Sequence, residues 1–424
     1  MNVADSELVA GILEQAGYLQ AENMDSADII IFNSCTVRQH AEDRVLGRLT
    51  AEAQRKQEHP ELLIGLIGCV AQRKGKDLLD EIESLDFVVG TDQYRQLPEI
   101  IISCIKNKKT LFADVQNNIE HYENIYPVRN KGVNAFVTIM RGCNNFCSYC
   151  IVPYVRGRER SRDHREILEE IERAGNTGYK DITLLGQNVN SYNDGKITFP
   201  DLLRHAAHID SIERLRFVTS HPKDLSDEVI QVMTIEPKLC EHLHLPMQSG
   251  SNRILKRMNR NYTSEKYLAI IKKLRNAMPH IALTTDAMVG FPGETEEDFF
   301  LTYNLMREIR FDYAFMFKYS PREGTAAADY KVQVPEDIRL ERLRKLIDQQ
   351  EKITFEKYQD QIGREVEVYV EQTSKKSEDE LSGRTRDNKI AVFPGEKDLI
   401  GSFVRIKIID TTGWTLKGEQ IHHT

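Results

Sequence analysis

Met140-Arg141-Gly142-Cys143-Asn144-Asn145-Phe146-Cys147-Ser148-Tyr149-Cys150 sets three cysteines at C-x3-C-x2-C spacing directly after an apolar run. Thiolate is a soft ligand that suits zinc and iron-sulfur clusters, and both commonly take four ligands. A structural zinc site closes its tetrahedron with a nearby Cys or His, and the following Ile151-Val152-Pro153-Tyr154-Val155 offers neither. The loop is one ligand short, and an open metal position is where chemistry is done. On a cubane cluster, three thiolates would hold three irons and leave the fourth for a small molecule. A zinc knuckle and three unrelated core cysteines are the competing readings. The latter is weakened because three of only seven cysteines in 424 residues fall within eight positions.

Outward from this loop, apolar strands alternate with helical stretches. Phe136 to Met140 feeds the cysteines, and Ile182 to Leu185 feeds Gly186-Gln187-Asn188. Leu215 to Val218 feeds Thr219-Ser220-His221-Pro222, and His242 to Leu245 feeds Pro246-Met247-Gln248-Ser249-Gly250. Ala282 to Val289 feeds Gly290-Phe291-Pro292-Gly293, and Tyr313 to Phe317 feeds Lys318-Tyr319-Ser320-Pro321. Six strand-helix units in sequence predict an open, six-unit form of the (β/α) barrel. Such barrels keep their active sites where strands end, and here the glycine, polar and cysteine residues gather there. Gly186, Gln187, Asn188, Gln248 and Ser249 offer backbone N–H groups and side chains suited to a ribose, an adenine edge or a carboxylate. The same residues also read as plain turn formers. Thr295 with Asp298 reads as a helix N-cap, His242 and His244 as barrel interior with hydrogen bonds, and Cys240 as core. No residue is assigned as a catalytic acid or base.

Upstream, residues 7 to 17 read as an amphipathic helix capped by Asp5 or Ser6. Residues 27 to 33 read as a buried strand, about 37 to 55 as a helix, and 62 to 67 as a second buried strand. Cys35 and Cys69 sit just past those strands. Open parallel sheets bind ligands at the carboxyl ends of their strands, so the two cysteines are candidate ligands as well as candidate buried thiols. Cys104 lies on a helical apolar face and reads as core. Residues 115 to 132 lack a clear period and suit a linker. After a charged helix from about Pro335 to Gln359, the pattern turns to period two at 366–371, 389–393 and 403–409, which predicts a small antiparallel β-barrel.

Apolar content of 40% with 29% charged residues describes an ordinary globular chain, long enough for two or three domains. No run of eighteen apolar residues occurs, and Met1-Asn2-Val3-Ala4-Asp5-Ser6-Glu7 has no basic leader. An odd, clustered set of seven cysteines is no disulfide framework and points to a reducing cytoplasm and metal use. A net charge of -8 argues against a generic polyanion binder, so any nucleic-acid site is a local patch. Arg156-Gly157-Arg158-Glu159-Arg160-Ser161-Arg162-Asp163-His164-Arg165 is the best candidate, with a solvated loop and helix start holding internal ion pairs as the alternative.

At Cys143, Cys147 and Cys150, with the aromatic Tyr149 before the last cysteine, the chain resembles the radical S-adenosylmethionine (SAM) enzymes. The resemblance implies a [4Fe-4S] cluster whose open iron takes SAM, which reduction cleaves to a 5'-deoxyadenosyl radical. Asn33-Ser34-Cys35-Thr36-Val37-Arg38 and Ile67-Gly68-Cys69-Val70-Ala71-Gln72 look like two of the three cysteine motifs of the methylthiotransferases, where three such cysteines hold an auxiliary [4Fe-4S] cluster. In that family the first motif has a Cys just ahead of Met-Asn-x-x-Asp-Ser-Glu, where this chain begins. The first strand and its cysteine are thus expected upstream, the start having been placed too late or the N-terminus cut. A sheet opening on a helix leaves edges uncovered, so the chain as given is expected to be less stable than a complete one.

The last sixty or so residues resemble the TRAM domain, an RNA-binding barrel, through Ser382-Gly383-Arg384-Thr385. Domains are expected at 1–117 (methylthiotransferase N-terminal), 129–359 (radical SAM core) and 361–424 (TRAM). Within the family, Thr36-Val37-Arg38 with Ala41, the 156–162 arginines, and Ser382 to Thr385 with Asn388-Lys389 are most similar to the branch acting on dimethylallyl-adenosine beside the tRNA anticodon. Branches acting on threonylcarbamoyl-adenosine or a ribosomal-protein aspartate are the alternatives. The resemblance implies radical abstraction of hydrogen from C2 of adenine, sulfur insertion at the Cys35 and Cys69 cluster, and methylation by a second SAM. It also implies that Arg156, Arg158, Lys375, Lys376 and Arg384, with Arg386 and Lys389, meet the anticodon arm. An electron donor such as flavodoxin or ferredoxin, sulfur and cluster supply proteins, no membrane and a monomer complete the expectation.

Overall fold

Apolar runs closed by glycine or a polar residue become parallel strands, and each delivers its following loop to the same end of its sheet. A computed structural model describes residues 1–36, 39–107, 111–112, 120–129 and 132–421. It divides into two units: Met1–Asn130 with Arg141–Asn144 and Cys150–Arg162, and Lys131–Met140 with Asn145–Tyr149 and Asp163–Thr424. Among the described residues no helix is long and apolar enough to cross a membrane.

In the first unit, β1 (Ile29–Ser34), β2 (Leu63–Gly68), β3 (Phe87–Val89) and β4 (Leu111–Phe112) form a parallel sheet in that order. Ile64, Leu66, Val70 and Leu78 share one core cluster, and Ile67, Phe87, Val89, Leu97, Ile101 and Cys104 share another. At Gly65 a Cβ would come within 2.1 Å of the Phe87 ring, so only glycine lets β2 and β3 pair there. Two expectations change. β1 is an edge of the described sheet, and Ile29, Ile31, Phe32 and Asn33 are only half-buried. The first helix spans Asn2–Gln15, so Asp5 lies inside it and is no cap; two arginines draw its carboxylate into the interior.

Of the linker read at 115 to 132, residues 115–119 and 130–131 lie outside the described residues, as do Val37 and Arg38. The described part is anchored: Tyr122 stacks on Tyr94 at 5.6 Å and donates its hydroxyl to Thr91 O at 2.8 Å.

In the second unit, β5 (Asn134–Thr138), β6 (Asp181–Leu185) and β7 (Arg214–Phe217) form one parallel ladder. β8 (His242–His244), β9 (Ala282–Val289) and β10 (Tyr313–Lys318) form another. A bridge between Leu215 and Leu239 joins them, with Cys240 N donating to Leu215 O at 3.0 Å. Among the described residues β5 and β10 do not pair, which leaves the barrel open as expected. Along β9, Leu283, Thr285, Ala287 and Val289 are buried while Thr284, Asp286 and Met288 are half-buried, so the two faces differ. His242 Nε2 and His244 Nδ1 both contact Thr284 Oγ1, at 3.2 and 3.0 Å.

The C-terminal strands β11 (Glu365–Thr373), β12 (Glu380–Thr385), β13 (Ile390–Pro394), β14 (Phe403–Thr411) and β15 (Leu416–Gln420) close in the order β11-β12-β13-β15-β14. The pairings are antiparallel except β13 with β15, which is parallel. This small barrel sits on the amino ends of the half-barrel strands. Arg214 Nη1 donates to Arg384 O at 2.8 Å, and Arg216 reaches Thr385 O and Arg386 O at 2.9 Å while its Nε holds Asp181. Trp414 meets Tyr313 edge to face at 5.7 Å.

Arg216 and Asp181 are both buried, so removing one strands the other's charge. Arg216→Ala is expected to cost about 3–5 kcal/mol in urea unfolding. Arg216→Met with Asp181→Leu should recover most of that loss.

Candidate cluster and cofactor site

None of the seven cysteines is in a disulfide. Gly142 has φ +76° and a Cβ there would lie 2.0 Å from Arg158 O, so the entry to the cysteine loop needs glycine. Its middle is gripped by the turn at 258–260: Ser148 N donates to Met258 O at 3.0 Å, and Asn259 Nδ2 donates to Phe146 O at 2.8 Å. Cys147 is buried, and Arg260 Nη1 points at its sulfur from 3.6 Å. Arg260 also binds Pro246 O at 3.0 Å and the Tyr262 hydroxyl at 3.1 Å. Sequence reading missed Arg260; an arginine inside the turn-forming Asn259-Arg260-Asn261 was the available signal.

The loops after β6 and β7 are tied together: Val189 N donates to Thr219 O at 3.1 Å, and Thr219 Oγ1 donates to Gly186 O at 2.7 Å. A Cβ on Gly186 would come within 2.5 Å of Met140, so the loop approaches closely. Asn188 Nδ2 donates to Asp224 at 2.7 Å. Gln187 Oε1, Asn188 Oδ1, both Asn190 amide atoms, Ser220 Oγ and His221 Nε2 are buried without a hydrogen-bond partner among the described residues. Each such atom costs about 1–3 kcal/mol, so their concentration on two adjoining loops fits a polar ligand rich in hydroxyl and charged groups.

His221, also missed, accepts from Lys223 N through Nδ1 at 3.2 Å, which leaves the proton on Nε2. Burial, with the Arg260 guanidinium next, pushes its pKa down to about 2, so it is a neutral donor. Gln248 has φ +60° and is buried, with its backbone bonded to Asp286 and Met288. The Ser249 hydroxyl pairs with Thr302 Oγ1 at 3.1 Å and accepts from Ser251 N, which braces the loop.

Cys35 and Cys69 follow β1 and β2, near enough for a charge on Cys35 to act on the Cys69 thiol. Gly68, at φ +94°, turns the chain so that Cys69 opens the helix Cys69–Glu81. Arg156 Nε donates to Cys69 Sγ at 3.2 Å and Nη2 to Asp5 Oδ2 at 2.6 Å. Burial pushes the Cys69 thiol up, against the pull of Arg156. Burial likewise opposes ionisation of Asp5, but the Arg156 and Arg141 guanidiniums hold its carboxyl below the usual range.

The expected phosphate contacts are therefore redistributed. Arg156 is buried on Asp5, and Lys389 is buried on Asp312 and Asp387. Arg384 is held by Glu371 at 3.2 Å and Asn388 at 3.2 Å, and Arg386 by Glu241 at 2.9 Å. Arg158, Lys375 and Lys376 are exposed.

Residues 1–90 match the uncharacterized protein family UPF0004, 137–306 the radical SAM superfamily and 359–421 the TRAM domain. The tRNA-2-methylthio-N(6)-dimethylallyladenosine synthase of Thermoanaerobacter sp. (strain X514) is 47% identical over 426 residues, covering 99% of this chain and 90% of that protein. That of Carboxydothermus hydrogenoformans is 47% identical over 423 residues, covering 99% and 96%. This chain belongs to the tRNA-2-methylthio-N(6)-dimethylallyladenosine synthase family.

The fold of this family member is similar to that of a radical S-adenosylmethionine methyltransferase, TsrM, from Kitasatospora setae, with TM-score 0.57, 14% identity and coverage of 74% of this chain and 70% of that one. The family implies SAM and [4Fe-4S] clusters, and the residues fit both: cysteines outside any disulfide on two preformed turns, each group touched by a buried guanidinium, and unsatisfied polar atoms on the loops after β6 and β7.

Burial also pushes the pKa of His242 down to about 3. An imidazole depressed in the native state adds stability that is complete above pH 6.5 and lost as pH falls, because only the unfolded chain takes up the proton. His221 and His242 should each remove about 2 kcal/mol between pH 7 and pH 5 in urea unfolding. His242→Gln should remove its share of that slope.

Proposed function

We propose that this chain adds a methylthio group to C2 of N(6)-dimethylallyladenosine beside the anticodon of tRNA. The end-to-end 47% identity to synthases of that name carries the reading, and the two separate cysteine groups support it. When bound, the cofactors supply a carbon-centred radical for a C–H bond too strong for acid-base chemistry, together with the sulfur and the methyl group.

The protein's share is holding and orienting. Cys143, Cys147 and Cys150 hold the SAM-binding cluster, with Arg260 setting the Cys147 sulfur. Cys35 and Cys69 serve the auxiliary cluster. Gly186, Gln187, Asn188 and Gln248 line the SAM loops, joined by His221 as a neutral donor. Arg158, Lys375 and Lys376 are exposed cations for phosphates of the anticodon arm, whose target base is splayed from its stack. The domains 1–117, 129–359 and 361–424 carry these roles in turn. The setting is a cytoplasmic monomer fed by a small electron-transfer protein and by cluster and sulfur supply proteins.

Mass spectrometry of tRNA nucleosides from a deletion strain should show loss of the 2-methylthio group from dimethylallyladenosine. Loss from threonylcarbamoyladenosine instead would redirect the substrate. In reconstituted protein, Cys147→Ala should abolish 5'-deoxyadenosine formation, whereas Cys69→Ala should keep cleavage and lose thiolation. Equal loss of cleavage in both variants tells against two distinct clusters.

A further inference from the structure

The segment that follows the cysteine loop reaches back to Cys69. Arg156 lies six residues past Cys150, and its Nε sits 3.2 Å from Cys69 Sγ. Its Nη2 binds one oxygen of Asp5 at 2.6 Å, and the other oxygen faces Arg141 Nη2 at 2.9 Å. Arg141 lies two residues ahead of Cys143. Cys69, Asp5, Arg141 and Arg156 are each 5% exposed or less, so water does not balance their charges.

Two guanidiniums face one carboxylate. Asp92 also senses both arginines but is paired with Arg160. Nη1 of Arg141 and Nη1 of Arg156 are buried without a hydrogen-bond partner among the described residues. An excess buried charge is costly unless a counter-charge completes it. An anionic sulfur at Cys69 does so, and a metal-bound thiolate is one.

We propose that Arg156 is a positioning residue of the Cys35 and Cys69 site. It orients the Cys69 sulfur by a charge-assisted N–H···S bond and makes the pocket favour an anionic iron-sulfur group, while Asp5 fixes the guanidinium. This rests on reading the two cysteines as cluster ligands. A lysine supplies the charge as a point and lacks the planar fork that serves sulfur and carboxylate together.

The test isolates this site in the full chain by changing Cys143, Cys147 and Cys150 to Ala. Iron per chain is counted after anaerobic reconstitution with ferrous iron and sulfide and removal of unbound metal. Adding Arg156→Gln should lower retained iron at least fivefold, and Arg156→Lys should restore part of it. Because Arg156→Gln strands part of a buried carboxylate, the Asp5→Asn, Arg156→Gln double variant is run beside it. Its metal-free melting curve reports the fold, and its iron should stay low. Equal iron with and without Arg156, including none in either, overturns the proposal. Dependence of SAM cleavage on Cys147, measured in the otherwise unaltered chain, tests the functional reading separately, so equal iron beside an intact Cys147 dependence removes only the role of Arg156.

Discussion

A guanidinium taken out of water must find its counter-charge and its acceptors nearby, and this chain sets such groups at its functional junctions. Arg141 and Arg156 converge on Asp5, Arg216 on Asp181, and Arg342 on Glu294. Arg260 instead satisfies itself on Cys147, Tyr262 and Pro246. Arginine suits these places because its planar fork serves two partners at once and stays charged when buried. The geometry of both cysteine groups follows from where these side chains are anchored.

Parallel pairing supplies the second constraint. Since every strand of the half-barrel runs the same way, the loops after β6 and β7 share one end, with unsatisfied amide, hydroxyl and imidazole atoms on them. The opposite ends are used differently: Arg214, Arg216, Glu241 and Asp312 bind the C-terminal barrel, and Asp181 holds the Arg216 guanidinium in place. One end of the half-barrel therefore carries unsatisfied polar atoms and the other serves attachment.

The strands and their order were legible because period and punctuation are local properties. The cysteine loop was legible because its spacing is a ligand set. Asp5 was misread because an acid near a helix start looks the same whether it caps that helix or meets an arginine more than a hundred residues away. Arg156 and Lys389 were misread for the converse reason: in sequence a basic residue reads as surface, and only the partners Asp5, Asp312 and Asp387 show that it is interior. His221 and Arg260 carry no spacing signal, since their roles arise from loops brought together by the barrel.

The contact between Trp414 and Tyr313 makes the seam beneath the half-barrel a spectroscopic one. Trp414 is the sole indole of the chain, is 45% exposed, and touches the first residue of β10. Its emission thus reports the docking of the small barrel. Detachment of that barrel changes the chromophore's surroundings even where the parallel strands stay intact.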